Sequence, residues 1–191
     1  MGDSEEEEAE MTSPARPGET APLESFRLAD DGHIPNNAAL PLVVYRNVLP
    51  LDGADPAAAC EALFAENDWN GGWRDGIYPY HHYHATTHEA LGIVRGEARV
   101  RFGGEAGPVV TVRAGDVVVI PAGVGHKSEG ATGDLLVVGA YPGGREPDMC
   151  TGRGDTRLRA LASIAHVPLP AADPVYGVKG PLLGAWRLGH P

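Results

Sequence analysis

The stretch Tyr80 to Glu89, YHHYHATTHE, holds four of the eight histidines in this 191-residue chain. On a strand, residues two apart share a face. His82 and His84 therefore point the same way, together with Tyr78 and Tyr80, while His81 and Tyr83 point the other way. Two imidazoles on one strand face make a bidentate metal site. The step from His84 to Glu89 is odd, so a turn or bulge over Ala85 to Thr87 is expected to reset the alternation. Glu89, Leu91 and Ile93 then face inward together. The carboxylate offsets the charge of a divalent first-row ion, and the imidazoles supply borderline-soft nitrogen. His88 is the alternative ligand, because register next to a turn is loosely specified. A polar core without metal is the competing arrangement, but four unpaired polar groups in a β core are costly.

The surrounding glycines and prolines are regularly placed. Gly76-x5-His82-x-His84-x4-Glu89-x6-Gly96 is followed, nineteen positions on, by Gly115-x5-Pro121-x-Gly123-x2-His126. The second part reads as a strand, a tight Pro-Ala-Gly turn and a fourth candidate ligand, His126. From Ile77 to Tyr141 short Val-rich segments alternate with Gly or Pro: EALGIVRG, ARVRFGG, PVVTVRAG, DVVVIPAG, LLVVGAYP. That pattern predicts an antiparallel sandwich or barrel. Upstream, Leu40 to Leu49 reads as a first core strand. Asp55-Pro56 supplies an N-cap and an N1 proline for a helix over Ala57 to Glu66. Asp68 to Gly76, DWNGGWRDG, reads as a Gly-rich loop whose Trp69 and Trp73 cap the core or rim a pocket. Downstream, Asp155 is placed to cap a helix over Arg157 to Ala165, with Leu158, Leu161 and Ile164 on one face. An extended segment, Val167 to Gly177, follows, and this C-terminal part is expected to pack outside the barrel.

The net charge of -11 is unevenly spread: residues 1–24 carry -7 and the remainder -4. The acidic tail has almost no apolar residue and is expected to be disordered. A body of -4 repels phosphate backbones, which argues against nucleic acid as a partner. No apolar run approaches the ~18 residues of a membrane span, and the acidic N-terminus is unlike a secretion signal. A soluble, cytoplasmic protein is expected. Cys60 and Cys150, with no disulfide or zinc spacing around them, read as free thiols.

The two-part spacing resembles the signature of the cupin superfamily, with the first part complete and the second lacking its terminal Asn, where Gly130 stands. The segments DDGHIPNN (Asp30 to Asn37), Tyr78 to Gly92, GHK (Gly125 to Lys127), VVGAYP (Val137 to Pro142) and VPLPAADPVYG (Val167 to Gly177) are similar to the YjlB-type single-domain cupins. The resemblance implies an all-β, double-stranded β-helix of the RmlC-like jelly-roll kind, with short peripheral helices. It implies one domain over 25–191, with the core barrel at about 40–142 and an extension at 143–191. It implies a metal held by His82, His84, Glu89 and His126, and pairing of two copies through their sheets. It implies no particular reaction.

Four protein ligands around an octahedral ion leave two neighbouring positions open, which distinguishes a catalytic site from a closed structural one. The expectation is one divalent transition metal, iron, manganese, nickel, zinc or copper. The expected function is that of a metal-dependent enzyme, a dioxygenase acting on a small organic acid, carbonyl or thiol compound. Isomerisation or decarboxylation, and non-catalytic capture of a small molecule, are the alternatives. Tyr78 and Tyr80 are the candidate catalytic side chains lining the pocket. A sensor domain of a transcription regulator fits poorly, because the part after the barrel offers one short helix and no helix-turn-helix.

Overall fold

The protein is described by a computed structural model over residues 23–152 and 157–187. Its elements run β1 (Leu23–Leu28), β2 (Asn37–Tyr45), α1 (Pro56–Glu66), β3 (Trp69–Asp75), β4 (Glu89–Arg95), β5 (Glu97–Phe102), β6 (Val109–Arg113), β7 (Val117–Ile120), β8 (His126–Ala131), β9 (Leu136–Pro142), α2 (Arg157–Ile164) and α3 (Pro181–Arg187). Six strands form a sheet in the order β1-β2-β7-β4-β9-β3, and three form a second in the order β6-β5-β8. All the strand pairings are antiparallel. The arrangement is the double-stranded β-helix that the sequence led us to expect.

Alternation along the large sheet divides its side chains between two apolar layers. Leu42, Val44, Leu91, Ile93, Val118 and Val137 face the barrel interior, where Val100, Phe102 and Val112 of the small sheet meet them. Val43, Tyr45, Ala90, Val117, Val119 and Val138 face outward, under Cys60 and Phe64 of α1 and Leu182 and Trp186 of α3. A sheet covered on both faces explains why β2 and β7 read as continuous apolar runs instead of alternating ones. The small sheet has one wet face, and β5 accordingly alternates buried Ala98, Val100 and Phe102 with more accessible Arg99 and Arg101. α1 begins as predicted: Pro56 occupies the first turn and the Asp55 side chain accepts a hydrogen bond from the Ala58 N–H. It lies close to the sheet because Gly92 of β4 leaves no side chain beneath Cys60 and Phe64.

Several expectations need correction. Strand β1 begins at Leu23, pairing Leu23 with Tyr45, and Glu24 binds Arg46, so the last two residues of the proposed tail belong to a strand. Residues 1–22, and with them most of the acidic tail, lie outside the described residues, as do Asp155 with its proposed helix cap, and His190. The segment read as a Gly-rich loop is strand β3, paired with β9. Its glycines serve a bulge: Gly71 and Gly72 stand opposite one residue of β9, and Gly71 has φ +69°. On α2 the packed side is Ala160 with Ile164, against Ile34 and Tyr83, while Leu158 and Leu161 are exposed, so of the predicted apolar face Ile164 packs and the two leucines do not. Strand β8, absent from the sequence reading, has the sequence HKSEGA, buried at His126 and exposed from Glu129 onward, and hence no apolar run to reveal it. Cys60 and Cys150 are free thiols. Among the described residues no helix is long and apolar enough to cross a membrane.

Candidate metal centre

At one end of the barrel, between the two sheets, the rings of His82, His84 and His126 converge. Their backbones are held by reciprocal bonds: His82 N–H donates to the His126 carbonyl at 3.2 Å and His126 N–H to the His82 carbonyl at 3.0 Å. The Pro121-Ala122-Gly123 turn is closed by the Val124 N–H on the Pro121 carbonyl, with Gly123 at φ +90°. Gly123 N–H also donates to the His84 carbonyl at 2.8 Å, tying the turn to the third histidine. The two-residue alternation survives over this short piece. His82 and His84 share the cluster, while Tyr83 and Ala85 pack on the opposite side with Ile34 and Ala160.

The ligand atoms of the three histidines lie within 4.8 Å of one another and all three residues are buried, so the trio can hold a metal ion. Beside the trio stands Glu89, the first residue of β4, 2% exposed. Its Oε2 stands 3.5 Å from His84 Nε2 and 3.4 Å from His126 Nε2. Each ring presents Nδ1 to a backbone carbonyl: His82 to Tyr80 at 3.3 Å, His126 to Val124 at 3.4 Å, and His84 to Asp148. A carbonyl only accepts, so Nδ1 carries the proton and each neutral ring turns an Nε2 lone pair toward the centre. While the rings are neutral at Nε2, Glu89 Oε2 is a buried carboxylate oxygen without a hydrogen-bond donor. Lone pairs gathered around one point without a donor repel one another, and a cation at that point satisfies them all; the residues present fit a divalent ion.

Titration behaviour follows from the same geometry. Burial lowers the pKa of His82, and burial brings that of His126 down to about 3. For His84 burial acts in the same direction, but the hydrogen bond that its protonated ring donates to Glu89, together with the charge of Glu89, outweighs it, so its pKa is raised. Burial alone would raise Glu89; the hydrogen bond and charge of His84 instead hold it low.

Glu89 is held from the other side by Tyr141, which sequence reasoning did not single out, and behind it by Trp73, one of the two tryptophans read as capping the core or rimming a pocket. Tyr141 O–H donates to Glu89 Oε1 at 3.0 Å and accepts from the Trp73 indole N–H at 2.8 Å. The bulge at Gly71 and Gly72 makes this possible. It turns Trp73 inward, whereas Trp69 goes outward to bond the Ala172 carbonyl. Gly139, paired with Trp73, leaves room for the indole; a Cβ there would overlap the ring. Gly139→Ala is therefore expected to displace Trp73, costing about 1–3 kcal/mol by overpacking and visible as a lowered Tm and a changed tryptophan emission. The available signal was parity on β9, where Val137, Gly139 and Tyr141 share the inward face, but it required knowing that Leu91 pairs with Gly139.

The remaining candidates fall as follows. His88 is turned away from the cluster because it precedes inward-facing Glu89. Its ring lies against Trp186, with centres 4.6 Å apart and planes tilted by 54°, and its Nδ1 accepts from the Ala122 N–H. Tyr78 lines the cavity above the cluster, whereas Tyr80 stands outside it, stacked on the Tyr78 ring at 5.1 Å. The predicted strand does not reach Tyr80: only His82 and Tyr83 make bridges in this segment, and Pro79 has no N–H to offer a ladder. The cavity has a volume of about 310 Å³, and the three histidines and Glu89 contribute to its lining.

Comparison with known proteins places these features. A family profile described as "Cupin domain" matches residues 74–138. The protein YjlB of Bacillus subtilis (strain 168) is 44% identical over 163 residues, covering 85% of this chain and 96% of YjlB. Among solved structures, a DUF861 family protein of Thermotoga maritima is 19% identical, covering 52% of this chain and 98% of its own, with a TM-score of 0.34. A variant of the Bacillus subtilis oxalate decarboxylase is 18% identical over 58% of this chain and 22% of its own, with a TM-score of 0.32.

Proposed function

Because this chain belongs to the cupin superfamily, in the group of the YjlB-type proteins, we propose that it is a metal-dependent enzyme. Its one divalent transition-metal ion, iron, manganese, nickel, zinc or copper, is held by His82, His84, His126 and Glu89. The observation that carries this reading is the convergence of three Nε2 lone pairs and an unpartnered buried carboxylate oxygen beside an open cavity. The ion supplies Lewis acidity and, where redox active, one-electron chemistry.

The protein's own residues define what it does around that ion. The three backbone carbonyls fix the imidazole tautomers, and the Trp73–Tyr141 pair fixes the Glu89 carboxylate. The substrate is a small organic acid, carbonyl or thiol compound able to chelate. Among the described lining residues, the titratable groups outside the cluster and its bonded neighbours are Arg74, paired with Glu61, and Asp75 and Tyr78, all three exposed at the rim. Tyr78 is the candidate proton carrier for a substrate entering there. Deeper in the cavity the Tyr141 hydroxyl and the Asp148 carboxylate are engaged in hydrogen bonds within the protein, so a dioxygenase reaction suits the site better than an isomerisation or decarboxylation needing a free positioned acid or base.

Elemental analysis of the purified protein, followed by anaerobic loading with Fe(II) and an oxygen-uptake screen over chelating acids, diketones and thiols, tests the proposal. Oxygen uptake with matching loss of the compound is expected. Thermal stabilisation by a compound recovered unchanged would instead make this a binding protein.

A further inference from the structure

We propose that the natural ligand of this centre is a singly charged bidentate chelator carrying an apolar, preferably aromatic, body; this deepens the metal-site reading above and rests on it. The first ground is the wall of the cavity. Trp73, Ile77 and Leu91 line it below the rim, and Tyr78 and Met149 line it at the rim. Tyr78 is 46% and Met149 52% exposed, and Tyr80, stacked behind Tyr78, is 47% exposed. Half of the large apolar side chains left exposed among the described residues therefore gather at one opening, a concentration that marks a recognition surface. Polar atoms in the wall are already used. The Trp73 N–H and Tyr141 O–H serve Glu89, and the Asp148 carboxylate accepts from the Ala85 and Thr86 N–H groups and the Cys150 thiol. The cavity thus offers a ligand mainly carbon surface beyond the metal position.

The second ground is charge. The cation among the described lining residues is Arg74, and its guanidinium is engaged by both carboxylate oxygens of Glu61, each at 2.7 Å, and by Asp55. A divalent ion with one carboxylate and three neutral imidazoles has a net charge of one. A singly charged chelator neutralises it; a dianion leaves an uncompensated negative charge in a buried site, with exposed Asp75 at the rim adding to the repulsion.

The test uses the full chain loaded with Mn(II) and three probes, glycolate, mandelate and oxalate, titrated by calorimetry. Glycolate and mandelate share one hydroxy-acid chelate and differ by a phenyl ring, and oxalate is a dianion. Mandelate is expected to bind about tenfold or more tighter than glycolate, with oxalate weakest, the reverse of oxalate's advantage for the ion in water. Tyr78→Ala and Met149→Ala, both at exposed positions, should narrow the gap between mandelate and glycolate. Mandelate binding no tighter than glycolate, or oxalate binding tightest, overturns the proposal while stoichiometric Mn(II) leaves the metal site standing. Failure of the wild-type chain to take up Mn(II) or any other divalent ion overturns both.

Discussion

Replacing His126 with alanine is expected to weaken divalent-metal binding by more than about a hundredfold, since even outer partners of a metal ligand are worth 10- to 100-fold. His126 is 2% exposed, its Nε2 faces Glu89 Oε2 at 3.4 Å, and no neighbouring donor among the described residues takes its place. Competition against a chromophoric chelator measures the loss. His88→Ala is the control: it should leave metal affinity unchanged while removing the Trp186 contact and the acceptor for the Ala122 N–H, at a cost of about 1–3 kcal/mol. Equal metal loss in the two variants would refute the assignment. Acid should weaken binding in the wild type, because each ligand must be deprotonated. The His84 proton, held by Glu89 above the usual histidine pKa of 6.5, is the one that competes. His126 and Glu89 already lack protons there, since burial keeps the pKa of His126 low and His84 keeps that of Glu89 low. Affinity should therefore fall by up to about tenfold per pH unit once pH drops below the His84 pKa.

Asp173→Ala is expected to be the most damaging substitution outside the metal centre. Asp173 is fully buried and anchors the C-terminal extension: its carboxylate accepts from the N–H groups of Val175, Tyr176 and Leu182 and from the Tyr45 hydroxyl of β2. Removing it strands these donors beneath the outer apolar layer, where Trp186 and Leu182 pack. Each buried donor left without a partner costs about 1–3 kcal/mol, so the substitution as a whole should lower Tm by roughly 10 °C for a chain of this size. Differential scanning calorimetry reads it. A shift of only one or two degrees would show that the extension contributes little to the stability of the barrel.

Much of the candidate centre was legible because its determinants are short-ranged. His82 and His84 are two apart on an extended segment, the Pro121-Ala122-Gly123 turn demands a positive φ that glycine supplies, and His126 follows at once. The helix over Pro56 to Glu66 was legible for a similar reason, since an Asp cap and N1 proline act within one turn. The error at Asp68 to Gly76 has a physical source: Gly-Gly is a turn signal, and a bulge on an edge strand uses the same residues. Leu158 and Leu161 misled because helical periodicity identifies a face without saying whether a partner covers it.

The sequence by itself determined the β-rich class and the grouping of three histidines, since side-chain alternation and turn chemistry act over a few residues. Only the tertiary structure decided that Trp73 and Tyr141 hold Glu89, that Asp148 orients His84, and that His88 belongs to the outer layer with Trp186. Those contacts join positions dozens of residues apart, through strand register and one bulge. Register is set by the packing of the two sheets as a whole, and no local spacing carries it.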